Sequence, residues 1–191
     1  MAVITISRQL GSLGTTLGKR IASRLGYRLV HRDVINQAAR LAGAPDVALA
    51  TIDELGLLGI EPEESAQQAY LEAVRQVIEN LAQEGDVVIV GRAGQSILQK
   101  HAGVLHVRVV APFETRVQRV VTAHGISELA ARAQVRDSDR YRADYLRRFY
   151  DTAWDDPTLY HLVINTGHMN LDTAAAVVCA AIHSMSGKEC P

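Results

Sequence analysis

The sequence predicts an α/β domain built on a doubly wound parallel sheet of about five strands, flanked by helices. Three observations carry that expectation. Residues 86–91 and 104–110 hold predominantly apolar runs, the pattern of strands buried on two faces. These runs alternate with longer stretches of helical spacing, as a βαβ chain does. A length of 191 residues, 48% of them hydrophobic, suffices for one substantial core.

In chain order, residues 3–6 are β-branched and open the sheet, a glycine-containing loop follows, and TTLGKRIASRLG reads as a helix closed by Gly26. YRLV is a short strand. DVINQAARLAG is a helix that Asp33 can cap and Gly43 can end. Residues 45–64 mix Gly, Pro and acidic side chains with weak periodicity and are expected to form a mobile insertion. Strong helical spacing returns at 65–83, so the insertion as a whole runs over about 44–84. After the strand at 86–91 and that at 104–110, residues 115–124 and 127–150 are Arg- and Ala-rich helices around Gly125. A last strand at 162–165 and a last helix at 171–185 complete one domain over 1–185. Residues 186–191 are a polar tail.

A net charge of -1 and a pI near 6.7 provide no global field for nucleic acid or an anionic membrane, so any polyanion must be met locally. The basic residues favour one chemistry. Arginine accounts for 17 of the 20, and its planar fork suits phosphate oxygens. No apolar run approaches the ~18 residues of a membrane span, and MAVITISRQ lacks the pattern of a secretory leader. Cys179 and Cys190 have neither disulfide nor metal-ligand spacing, which points to a reducing, cytoplasmic setting. The seven histidines form no HxxxH pair and there is no GxSxG elbow, so zinc and serine chemistry are not expected.

The segment from Ser7 to Thr16 lies where a phosphate loop belongs, after the first strand and opening the first helix. Backbone N–H groups of Gly11, Ser12, Leu13, Gly14, Thr15 and Thr16, with the helix dipole, can hold phosphate oxygens without net protein charge. Thr15 or Thr16 can offer a hydroxyl to Mg²⁺. The full GxxxxGK[ST] motif is absent: with Thr15 as its last residue, Gly14 takes the lysine position and Arg8 the first glycine. Lys19 lies more than a turn into the helix, so Arg8 is the substitute cation expected over the donor phosphates. An ordinary strand-to-helix turn is the alternative.

The stretch ITISRQLGSLGTTLGKRIASRLGYRLVHRDVI, then DVVIVGRAG, then RDSDRYRADYLRRFYDTAWDDPTLYHLVINT resembles the cytidylate kinase-like family over nearly the whole chain. The least generic matches are SRQ followed by GSxG, VIVGRA, and WDDP with YHLVINT behind it. The resemblance implies a P-loop kinase fold that transfers the γ-phosphoryl of ATP, with Mg²⁺, to a nucleoside monophosphate, most of all CMP or dCMP. A kinase of another small acceptor, or a nucleotide-binding regulator without turnover, is the competing reading. The oligomeric state is open, with a monomer slightly favoured.

The resemblance also implies site residues. Arg32 and Asp33 lie near the acceptor nucleotide, although Asp33 can equally be a helix cap. Arg92, after the buried strand at the edge where open α/β sheets bind ligands, corresponds to an arginine on the acceptor phosphate, with a structural ion pair as the alternative. The family's arginine-rich lid falls at about 125–150. Arg136 and Arg140 are its expected catalytic cations with Arg132 in reserve, the three sharing one helix face. A solvated face of Arg/Asp pairs is the alternative there. Trp154 is expected to be a packing anchor.

Overall fold

The computed structural model describes residues 2–41, 43 and 63–187, apart from the side chains of Arg32 and Asp33. Of the insertion expected over about 44–84, residues 44–62 lie outside the described residues. Strands β1 (Val3–Arg8), β2 (Arg28–His31), β3 (Val87–Val90), β4 (Val104–Val110) and β5 (Leu162–Asn165) form one sheet in the order β2-β3-β1-β4-β5. Every pairing is parallel. Helices α1 (Gly14–Leu25), α2 (Arg32–Leu41), α3 (Glu64–Glu84), α4 (Gly94–Ile97), α5 (Phe113–His124), α6 (Glu128–Tyr150) and α7 (Leu171–Met185) connect them.

Strand alternation divides the core into two layers. Ile4, Ile6, Val88, Val90, Val107 and Val109 face α1 and α7, where Leu17, Ile21, Val178 and Ile182 meet them. Val3, Val87, Ile89 and Val104 face the other way, onto Ile35, Tyr70, Val74 and Ile78 of α2 and α3. Each such fully buried aliphatic is worth about 1.5–3 kcal/mol. Gly26 and Gly125 both adopt the left-handed conformation at their helix ends, as the cap positions require. One boundary differs from expectation: α2 begins at Arg32, so Asp33 lies within its first turn rather than ahead of it.

Toward the carboxyl edge the second face turns polar. In register, Thr5 pairs with His106 and Ser7 with Arg108, and all four are buried. Thr5 Oγ1 and His106 Nδ1 are hydrogen-bonded at 2.7 Å, and His106 stacks on His161 at 5.1 Å between ring centroids. Burial, and then the neighbouring His161, lower the His106 pKa to about 4. The chain beyond α6 covers this floor. Trp154 Nε1 donates to Ser7 Oγ at 2.9 Å, and the Arg108 guanidinium donates to the Trp154 carbonyl and stacks on its ring at 4.5 Å. These bonds hold the end of α6 over the carboxyl edge of β1.

Candidate active site

The phosphate loop, residues 9–13, is held from outside by its carbonyls. Arg116 donates to the Leu10 carbonyl (3.4 Å), Arg119 to that of Gly11 (3.2 Å), and Thr166 Oγ1 to that of Ser12 (2.8 Å). The Ser12 hydroxyl donates to the Gln9 carbonyl at 2.8 Å. With its carbonyls engaged, the loop runs into α1, whose first-turn N–H groups at Gly14, Thr15 and Thr16 have no intrahelical acceptor. That is an anion-binding end. Arg116 is itself 4% exposed and ion-paired to Asp139 of α6 at 2.8 Å, so loop and helix share one cation. Gly11 has φ +76°, and a Cβ there would stand 2.7 Å from the Arg116 carbonyl oxygen. Leu13, which occupies the position of the ordinary motif's second glycine, adopts φ 61° at a cost of about 1–2 kcal/mol.

Arg8 explains the unusual glycine at position 14. A Cβ on Gly14 would overlap Arg8 Cβ, and a Cβ on Gly91 would overlap the Arg8 guanidinium. The side chain therefore leaves the end of β1, passes through the space a residue at 14 would occupy, and lays its charge against Gly91. A lysine at position 14 is incompatible with that path. The two glycines make a channel for the arginine.

Gly91, Arg92 and Ala93 all have positive φ, at 87°, 53° and 53°. Two successive non-glycine residues in this region cost about 1–3 kcal/mol each, a strain that clusters at functional sites. The left-handed turn ends β3 abruptly and sends Arg92 into a cleft of about 610 Å³. Its guanidinium lies 6.0 Å from the Tyr70 ring. Ser7, Arg8 and Gly91 to Ala93 line one side of the cleft, and Asp137, Ser138, Tyr141, Arg142 and Tyr145 of α6 line the other. Arg142 donates to Ser138 Oγ at 2.7 Å. Burial pushes the Tyr145 hydroxyl well above its ordinary pKa, so it stays a neutral phenol.

Thus Arg8, Arg92 and Arg142 meet in one cavity. Arg132, Arg136 and Arg140 are not brought there. At 3.6 residues per turn they lie about half a turn around α6 from the face of 134, 138, 141 and 145. Arg132 is paired with Glu114 (2.6 Å) and Glu128 (2.8 Å), Arg136 lies over the Phe113 ring at 5.5 Å, and Arg140 pairs with Asp137 at 3.2 Å. In this arrangement the expected lid face consists of Arg/acid pairs and an aromatic contact. Arg32 and Asp33 open α2 just beyond β2, with their side chains outside the described residues. Trp154 is 5% exposed, packs with Ala93 and Leu146, and also lines the cleft.

Sequence reasoning placed Arg142 beside the lid face without selecting it, and passed over Arg116, Arg119 and Gln95. The usable signal for Arg142 was Ser138 four residues before it, on the stripe shared with Tyr141 and Tyr145. For the loop-holding arginines there was none, because they serve the loop from an element more than a hundred residues away.

Fold and cleft together define a P-loop-type phosphotransferase of the small-substrate kinase class. The chain belongs to the cytidylate kinase-like family, whose model matches residues 3–168. It is 30% identical over 181 residues to a cytidylate kinase of Pyrococcus horikoshii, covering 94% of this chain and 88% of that one. Among solved structures, an uncharacterized protein from Eubacterium ventriosum superposes with a TM-score of 0.77 at 22% identity, over 96% of this chain and 99% of the other. Shikimate kinase from Acinetobacter baumannii, in complex with shikimate, gives 0.56 at 17% identity, over 96% and 94%. At these identities both structures speak to the fold. Among the described residues, no helix is long and apolar enough to cross a membrane.

Proposed function

We propose that this protein transfers the γ-phosphoryl group of ATP to a nucleoside monophosphate, with CMP or dCMP as the preferred acceptor, in the cytoplasm. The observation that carries the reading is the path of Arg8. Its guanidinium rests on Gly91, one residue before Arg92, so the cation of the donor loop and the cation expected to hold the acceptor phosphate stand side by side. Donor phosphates at the α1 N-terminus and an acceptor phosphate at Arg92 would then face each other across Arg8. Phosphoryl transfer asks chiefly for such positioning and for cations where charge is spread over the equatorial oxygens. Arg142 supplies a further charge from the α6 wall.

Two features favour a nucleotide acceptor over a polyol. Tyr141, Tyr145 and Trp154 present aromatic surface to the cleft, which suits a flat base. Relatives named cytidylate kinase span almost the same length. Thr15, exposed in the first turn of α1 and without a side-chain hydrogen bond to any described residue, fits a Mg²⁺ that takes most of its oxygens from phosphates and water. When bound, that ion neutralises and bridges the donor phosphates. Among the described residues, no group of three His, Cys, Asp or Glu is arranged to hold a metal on its own.

Coupled ADP release with Mg²⁺ and ATP, run against CMP, dCMP, UMP, AMP, GMP, shikimate and gluconate, tests the reading. CMP or dCMP should give the highest kcat/KM. Turnover confined to shikimate or gluconate would replace the acceptor class, and tight ATP binding with turnover on none would make the protein a nucleotide sensor.

A further inference from the structure

Gln95 is 3% exposed, yet it lines the cleft, and its side chain makes no hydrogen bond to any described residue. A carboxamide has two donors and two acceptor lone pairs, and leaving them unmade in a protein interior costs free energy. The Gln95 amide is not among the polar groups sealed from solvent, so it opens onto the cavity, and a polar group held open at the wall of a site needs a reason. Here the open side of the residue is the ligand cavity.

Its position supplies that reason. Gln95 lies in α4, three residues beyond Arg92, so a ligand whose phosphate is held by Arg92 has its remainder within reach of the Gln95 wall. Across the cleft stand Tyr141 and Tyr145, with Trp154 at the end of the same cavity. Aromatic faces on one side and a lone donor–acceptor pair on the other are what a planar heterocycle needs: surface to stack on and an edge to pair with.

We propose that Gln95 is a specificity-determining residue that pairs through its carboxamide with the donor–acceptor edge of the acceptor's base; the proposal rests on the nucleotide reading above. The N–H and C=O of the amide match an adjacent acceptor and amino group, as cytosine presents, and with the amide turned over they match a ring N–H beside a carbonyl, as uracil presents. Gln95 thus distinguishes a nucleotide from a base-free phosphate and accepts both pyrimidines. Preference between the two must come from groups of fixed polarity, and the facing wall carries Asp137, whose carboxylate only accepts, and Arg142, whose guanidinium only donates.

The test is binding of CMP, UMP and ribose 5-phosphate by calorimetry to wild type, Gln95→Ala and Gln95→Met, the last preserving volume while removing the amide. Wild type should bind CMP more tightly than ribose 5-phosphate. Both variants should lose about 10- to 100-fold of that ratio, with ribose 5-phosphate and ATP affinities unchanged. Thermal unfolding checks that each variant folds, and Gln95→Met carries the result if Gln95→Ala does not. A wild-type CMP to ribose 5-phosphate ratio in Gln95→Met would overturn the role of Gln95 while leaving the nucleotide reading intact. No preference for CMP over ribose 5-phosphate in the wild-type protein would overturn both.

Discussion

At the sheet edge the backbone aims the arginines, whereas on α6 the helical phase aims them. Arg8 ends β1 and runs through the space left by Gly14 and Gly91, and Arg92 sits in a strained left-handed turn directly after β3. Neither has a choice of direction once the sheet has formed. The seven-residue span from Arg136 to Arg142 instead holds three arginines on two sides of the helix, of which only Arg142 lines the cleft. Strand ends and glycine vacancies are therefore safer guides to a phosphate site than arginine density on a helix.

The largest effect that could break this comparison is expected at Arg92. Arg92→Ala should lower kcat/KM for the acceptor by about 10²- to 10³-fold with ATP affinity nearly unchanged. Titration of both substrates in the coupled assay checks it, and an equal loss for ATP would move Arg92 off the acceptor side. Next in size is the contrast within α6: Arg142→Ala should reduce kcat about ten- to a hundredfold, while Arg136→Ala and Arg140→Ala stay within about threefold. If the order is reversed, the helix rotates during catalysis and the expected lid face is the working one.

How far the chain could be read in advance follows the same division. The strands at 104–110 and 162–165 and the helix at 171–185 appear where their hydrophobic patterns put them, because the apolar residues that reach the core recur with the period of each element. The loop was visible through its place between a strand and a helix. The reason for Gly14 was not, since it depends on a side chain six residues earlier crossing to a strand end near residue 91. On α6 the four-residue repeat of Arg132, Arg136 and Arg140 indicated a shared face correctly but could not say which way that face points. Tertiary packing decided it: Glu114 and Phe113 of α5 take Arg132 and Arg136, Arg140 pairs with Asp137 of its own helix, and the stripe containing Tyr141 and Tyr145 is left to the cleft.

A smaller effect concerns the polar floor beneath the cleft. The fold keeps His106 neutral, with its pKa lowered from 6.5 to about 4, so the unfolded chain takes up that proton first as pH falls. Stability contributed by the neutral form is fully present above about pH 6.5 and is lost progressively down to about pH 4, by up to about 3 kcal/mol. Thermal unfolding across that window should show a shallower decline in His106→Gln than in wild type. Parallel curves would mean that carboxylates elsewhere carry the acid sensitivity.

The central claim is that Arg8, threaded between Gly14 and Gly91, does the work of the missing loop lysine. Its most direct test is a double-mutant cycle on CMP-dependent ADP release with Arg8→Ala, Gly14→Ala and the pair. Arg8→Ala should cost about 10²- to 10³-fold in kcat/KM for ATP. Gly14→Ala should cost less by displacing the same side chain, and the double variant should be no worse than Arg8→Ala alone. Full activity in Arg8→Ala, or losses that simply multiply in the pair, would contradict the account.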